Sequence, residues 1–331
     1  MRSGRKPVDM VTIEPFPQLH DPVVVTAFEG WNDAGDAASA ALDHLATVLH
    51  ATTVVALDPE EYYDYQVNRP MVSLAEDGSR RLAWPTTRIA VVRGLGQDAA
   101  AADTPGHGSD RAGSNAGGSE GGAAIAGGPL AARDLILVRG IEPSMRWRRF
   151  SEELLELFDE LGARLVVHLG ALLADVPHTR PVPVTGTASA GSVADDFGLE
   201  TSRYEGPTGI LGVLQDAGDR RDLPTVSLWA AVPHYVAQTP CPKASLALLR
   251  RIEDLLDITI PLGDLPEQAR AWERGVDELA REDSEVAEYV QSLETAKDTV
   301  ELPEASGDAI AREFERYLRR RPGHRDGGSP A

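Results

Sequence analysis

The sequence predicts an α/β protein with a mostly parallel sheet and a helical C-terminal segment. Three observations carry this. An apolar run, an amphipathic helix and a second apolar run follow one another within residues 22–58. Further buried-strand runs recur at 88–94, 134–140, 164–176 and 224–236. From about residue 244 the pattern turns helical, with apolar residues at spacings of four and three.

The elements follow in order. PVVVTA (22–27) is bounded by Pro22 and Gly30 and reads as a buried strand. Residues 36–49 place Ala38, Ala41, Leu42, Leu45 and Leu49 on one helical face, and TTVVALD (52–58) is the next strand, completing a βαβ unit. Asp77-Gly78 marks a hairpin within 71–84, and RIAVVRG (88–94) is another strand. Residues 97–132 are rich in Gly, Ala and Ser and read as a flexible insertion, His107 included, because strand patterning resumes at once in DLILVRG (134–140). A helix follows at 144–162, with Trp147, Phe150, Leu154, Leu157, Phe158 and Leu161 at helical spacing and Gly162 as its stop. RLVVHLGALLADV (164–176) begins as a strand, PVPVTGTAS (181–189) is extended, 206–218 is a short helix, and 224–236 is the last strand with its loop. Residues 243–258 form a helix buried through Leu246, Leu249, Ile252, Leu255 and Leu256. Trp272, Val276, Leu279, Asp283, Val286, Val290 and Leu293 then make a heptad seam with one acidic interruption, which suits subunit contacts through its six apolar members. The acidic stretch 282–288 reads as the wet face of that long helix. A last helix is expected at 307–321, capped by Asp308, and the tail 322–331 as disordered.

The 331 residues carry 52 acidic and 32 basic side chains, a formal charge of −20. That excess argues against nucleic acid and anionic lipid, both of which need clustered Lys and Arg. No run approaches the ~20 apolar residues of a membrane span, and the basic N-terminus lacks an apolar stretch behind it. The expected location is the cytoplasm. One cysteine, Cys241, excludes an internal disulfide, and no Cys/His cluster suggests a metal; no cofactor is expected.

Three loops hold the chemistry-bearing residues. GWNDAG (30–35) follows the first strand, where open α/β sheets bind ligands. Gly30, Trp31, Asn32, Asp33 and Gly35 are crevice candidates, although Asp33 or Asp36 is better suited to capping the helix and would repel a phosphate. GALLADVPHTRPVP (170–183) presents Asp175, His178, Thr179 and Arg180 between prolines. Asp, His and Arg suit a general base with an anion clamp, but a lone His is more often structural, with Asp175 and Arg180 paired to each other or to backbone. SLWAAVPHYVAQTP (227–240) adds Pro233, His234 and Tyr235 at the end of another strand. Parallel strands would let these loops converge. There is no nucleophile elbow and no phosphate loop, and Cys241 has no identifiable activating partner.

Taken together, GWNDAG, VRGIEPSMRWRRF, GALLADVPHTRPVPVTGTAS, YEGPTGILGVL and SLWAAVPHYVA resemble, in this order, the proteasome assembly chaperone family, in its bacterial branch similar to the second chaperone subunit. The likeness spans about residues 12–260. It implies a three-layer α/β/α sandwich similar to the nucleoside phosphorylase and hydrolase folds, with a helical segment over 261–321 packed alongside. It also implies self-association, a trimer being one arrangement, and proteasome α-subunits as partners. Chaperones of this kind often dock through a C-terminal hydrophobic-Tyr-any tripeptide, which GGSPA does not provide.

Two readings of function stand side by side. One is a non-catalytic assembly or interaction factor. The other is an enzyme or small-molecule binder whose crevice, with His178 as base and Arg180 holding an anion, performs hydrolysis or transfer on a small polar substrate.

Overall fold

A computed structural model of the protein describes residues 10–12, 18–75, 77–93, 133–188, 191–236 and 240–301. The insertion at 97–132, the helix expected at 307–321 and the tail at 322–331 lie outside these residues.

The chain opens with β1 (Met10–Thr12) and β2 (Val23–Glu29), then turns into α1 (Ala37–Val48) and β3 (Thr52–Leu57). A hairpin of β4 (Met71–Leu74) and β5 (Arg80–Ala83) forms at Asp77-Gly78 as the sequence indicates, but as a separate two-stranded sheet. Next come β6 (Arg88–Val92), β7 (Leu135–Ile141), α2 (Trp147–Glu160) and β8 (Leu165–Ala174). Then follow β9 (Val184–Ala188), α3 (Gly191–Phe197), β10 (Glu200–Thr201), α4 (Ile210–Asp219) and β11 (Thr225–Pro233). Three helices close the described chain: α5 (Pro242–Leu256), α6 (Leu265–Glu282) and α7 (Ser284–Glu301).

The main sheet has nine strands in the order β1-β3-β6-β7-β2-β8-β11-β9-β10. Its centre, β7-β2-β8-β11, is parallel. Both flanks introduce antiparallel pairings, β6 on β7, β3 on β6 and β1 on β3 at one side, β9 on β11 at the other. The architecture is therefore α/β with a mixed sheet and C-terminal helices.

The first βαβ unit is spread wider than its sequence suggests. Both edges of β2 are taken, Val23 pairing with Leu135 of β7 and with Leu165 of β8. β3 sits two strands further out, beyond β7 and β6. The physical reason is burial. β2, β7 and β8 are apolar on both faces and compete for the centre, whereas β3 starts at an exposed Thr52 and suits a flank.

Alternation along β2 divides the core into two. Val23, Val25 and Ala27 face α1 and α5, together with Leu42, Leu45, Leu248, Leu249 and Ile252. Val24 and Phe28 face α2 and α4, together with Phe150, Leu154, Phe158, Ile210 and Leu214. Helices thus cover both faces, giving three layers. α5 packs on α1, α6 packs on α5, and α7 packs on α6.

The expected long helix at 272–293 is two helices. Asp283 has an extended backbone (φ −118°, ψ 110°), and its carboxylate accepts the N–H of Glu285 at 2.9 Å. The acidic interruption of the seam is thus a cap that ends α6 and starts α7, not one wet face. The seam residues are largely used within the chain: Trp272 packs on the core, Val276 and Val290 are buried, Val286 and Leu293 are half-buried, and Leu279 is 48% exposed.

One buried polar pair lies at the sheet centre. Thr26 Oγ1 and His168 Nδ1 are 2.7 Å apart, and His168 Nε2 has no partner among the described residues. Burial pushes this imidazole down to about 3. The folded state thus refuses a proton that the unfolded chain accepts below about pH 6.5. The stability is intact above that pH and is lost progressively as pH falls toward 3, by on the order of 4 kcal/mol in all. His168→Gln is expected to flatten the fall in urea-unfolding free energy between pH 6.5 and 4; an unaltered slope would assign it to other groups.

Candidate functional site

Parallel strands deliver their following loops to one end of a sheet, so GWNDAG after β2, 175–180 after β8 and 234–236 after β11 emerge together. They do not reach equally far. β2 stops at Glu29, and the GWNDAG backbone then rides along β8, with Ala171 N–H donating to Asn32 O at 2.8 Å and Asp33 bridged to Ala171. β8 continues to Ala174, opposite Pro233 of β11. At ~3.3 Å per residue the second and third loops start about 10 Å beyond the first.

The result is two separate networks. In the inner one, the Asp33 carboxylate accepts the N–H groups of Ala38 (2.7 Å) and Ser39 (3.3 Å), satisfying the first turn of α1 from three residues before the helix cap. Burial raises the Asp33 pKa, and the hydrogen bonds from Ser39 and Ala38 oppose that rise. Asn32 is buried and turned the other way. Its Nδ2 donates to Glu142 Oε1 at 2.8 Å, and the same oxygen accepts the N–H of Ile210, the first residue of α4, at 2.8 Å. A Cβ at Gly209 would lie 2.3 Å from Asn32 Oδ1, so this helix start fits only with glycine there. Gly35 holds φ +63°, and its carbonyl accepts the Cys241 N–H at 2.7 Å. Trp31 alone points outward, 65% exposed. Cys241 is buried, and burial pushes its thiol pKa up, away from thiolate chemistry.

The outer network joins the 175–180 and 234–236 loops to the C-terminal helices. His178, 2% exposed, has both ring nitrogens engaged: Nδ1 lies 2.8 Å from Tyr235 Oη and Nε2 lies 3.0 Å from Asp277 Oδ1 on α6. The tyrosine oxygen also accepts the His178 backbone N–H at 2.7 Å. Burial pushes Tyr235 up to about 12, so it keeps its proton and can donate it to Nδ1. A neutral imidazole with its proton on Nε2, donating to Asp277, satisfies every group. The His178 carbonyl accepts from Lys243 Nζ of α5, which also pairs with Glu273 of α6. Thr179 donates to Glu294. Arg180 forks onto Asp298 of α7, Nε to Oδ1 at 2.9 Å and Nη2 to Oδ2 at 2.7 Å, and holds that carboxyl below its usual range. Asp175 Oδ1 takes Tyr289 Oη and His234 Nδ1, each at 3.0 Å. The rings of His178, His234, Tyr235 and Tyr289 meet edge to face.

The sequence candidates therefore fall into two groups. Asp175, His178, Thr179, Arg180, His234 and Tyr235 are brought together, with Pro233 at the root of their loop. Asn32, Asp33 and Gly35 belong to the inner network, bonded to helix starts rather than to the second loop, and Gly30 closes its turn by accepting the Asp33 N–H. Sequence reasoning missed Glu142, Lys243, Tyr289 and the carboxylates of α6 and α7. The pairs Glu273/Asp277 and Glu294/Asp298, each spaced i,i+4 beside the apolar seam, were the available signal. No group of three or more His, Cys, Asp or Glu among the described residues is placed to hold a metal.

This geometry makes Arg180 an anchor for α7. Arg180→Gln is expected to speed amide exchange within 284–301 several-fold while the global urea midpoint stays nearly unchanged. Unchanged protection there would place the anchor elsewhere.

Comparison with known proteins follows the same outline. The family model described as the PAC2 family matches residues 27–280. The solved structure of a PAC2 family protein from Streptomyces avermitilis is 56% identical, covering 82% of this chain and 100% of that one, with a TM-score of 0.67. A proteasome-assembly chaperone homologue from Mycobacterium tuberculosis is 50% identical over 81% of this chain and 99% of its own, TM-score 0.65. An archaeal proteasome activator from Pyrococcus furiosus shares the fold at 17% identity, over 82% of this chain and 97% of its own, TM-score 0.58. No curated protein matches the chain. With the family model spanning most of its length and identity of half or more over the aligned residues of two solved relatives, the chain belongs to the PAC2 family.

Proposed function

We propose that this protein is a non-catalytic, chaperone-like assembly factor, acting in the cytoplasm as a homo-oligomer and engaging proteasome α-subunits. The observation that carries the reading is the use made of the outer polar network. His178, Thr179, Arg180 and Asp175 spend their hydrogen-bonding capacity on Asp277, Glu294, Asp298 and Tyr289. That is how a protein fixes a helical pair rigidly on a sheet, and a rigid surface is what a template for subunits needs. The Mycobacterium tuberculosis relative, a proteasome-assembly chaperone homologue, supports the same class of role.

The surface beside that network fits a binding task. β8 outruns β2, so Leu172 and Leu173 lose a neighbouring strand and are exposed, the latter at 60%. Trp31 stands exposed on the adjoining loop, and Leu279 is the open member of the seam. Exposed large apolar side chains of this kind suit protein contact. No helix among the described residues is long and apolar enough to cross a membrane.

Native mass spectrometry of the chain, alone and with proteasome α-subunits from the same cell, tests the proposal. A defined mixed complex is expected, and a chain that ignores those subunits would refute it. Leu279→Asp is expected to lower the mass of the homo-oligomer with little loss of stability. Val290→Asp, 7% exposed within one chain, should instead cost about 3 kcal/mol of folding stability.

A further inference from the structure

A groove of about 540 Å³ lies between α5 and α6, closed on one side by the 181–184 segment. It is separate from the GWNDAG network, and only Lys243 reaches from it toward His178. Its charged walls are Lys243, Arg250 and Arg251 from α5 and Arg270 from α6, against the carboxylates of Asp254 and Glu273. Four cations facing two carboxylates is the reverse of the whole chain, whose formal charge is −20.

The pairing within the groove is uneven. Glu273 is taken by Lys243. Arg270 meets Glu267 only at 3.9 Å on the surface. Arg250 is half-buried, and its Nε is enclosed with no hydrogen-bond partner among the described residues. An enclosed guanidinium donor left unmatched is costly, and neighbouring cations on the same helix raise that cost. An incoming oxyanion relieves the repulsion among these cations, and the guanidinium's terminal nitrogens match the paired oxygens of a carboxylate or phosphate. Between the charged walls the lining is apolar: Val182, Val184, Leu246 and Ala269. Cations on both walls with hydrocarbon between them describe a ligand with a charged head and a compact apolar body. The volume is that of a small-molecule site.

We propose that this groove binds a small organic oxyanion, a carboxylate or phosphate monoester on a compact apolar body, through Arg250 and Arg251. The site stands independently of any assembly role. Titration calorimetry of the full chain at low salt tests it with phenyl phosphate, benzoate, inorganic phosphate and phenol. Saturable binding of phenyl phosphate or benzoate is expected, whichever is tighter naming the head group. Inorganic phosphate should bind at least tenfold more weakly, because it lacks the apolar body, and phenol not measurably. Arg250→Gln should weaken the bound probe at least tenfold while keeping the wild-type circular dichroism. Should Arg250→Gln fail to fold, Arg251→Gln reads the same contact from an adjacent position. Failure of both anionic probes to bind, or equal affinity in a folded arginine variant, would overturn the proposal.

Discussion

The imidazole of His178 is the point on which the outer half of the molecule depends. It lies between Tyr235, at the end of β11, and Asp277, in the middle of α6, with its own carbonyl taken by Lys243 of α5. The 175–180 loop, the end of β11, α5 and α6 thus meet on one buried residue. Removing any partner would leave a buried polar atom unmatched, at about 1–3 kcal/mol each. The site is therefore over-determined: the loop fixes the helices, and the helices fix the loop. Pro177 before it and Pro181 beyond it stiffen the segment, so less chain entropy opposes the arrangement.

The inner network solves a different problem. A loop that leaves β2 early must still terminate two helices, α1 on one face of the sheet and α4 on the other. Asp33 serves the first, and Asn32 with Glu142 serves the second. The Asn32 and Asp33 side chains leave the Gly30–Asp33 turn in opposite directions, so an Asn-Asp pair reaches both helices from one place. The acidic residues that look misplaced beside an anion-binding helix start are there because the helix start is already satisfied. Only Trp31 is left for the outside.

Much of this was legible in the residues. The apolar runs named the central strands, and the 3.6-residue spacing named α1, α2 and α5, including the buried Leu246, Leu249, Ile252, Leu255 and Leu256. The loops that emerge at one end were also identified. Strand order was not, because β2 and β3 look like neighbours until both edges of β2 are found occupied by β7 and β8. The seam was visible, but a heptad pattern is silent on whether its partner lies in the same chain or another. Here Val276 and Val290 are buried within one chain, and Asp283 breaks the helix between them. The partners of the polar loops were hidden for a related reason. Their carboxylates sit about a hundred residues away on a surface-like helix face, where acidic residues ordinarily need no explanation.

Charge explains why the C-terminal helices settle where they do. α6 carries five acidic and three basic side chains and α7 five and one, and an acidic helix on an acidic body is repelled by most of it. The rigid loop around Arg180, with Lys243 beside it, is a local exception, and Glu273, Glu294 and Asp298 converge there. Apolar contact alone would allow α7 to slide along α6 by a turn at modest cost. The fork of Arg180 on Asp298 permits one register, because a bidentate pair tolerates little displacement. Arg180 is half-exposed, so the pair adds little to total stability. Its contribution is positional, and it is the hydrophobic seam that supplies the binding energy.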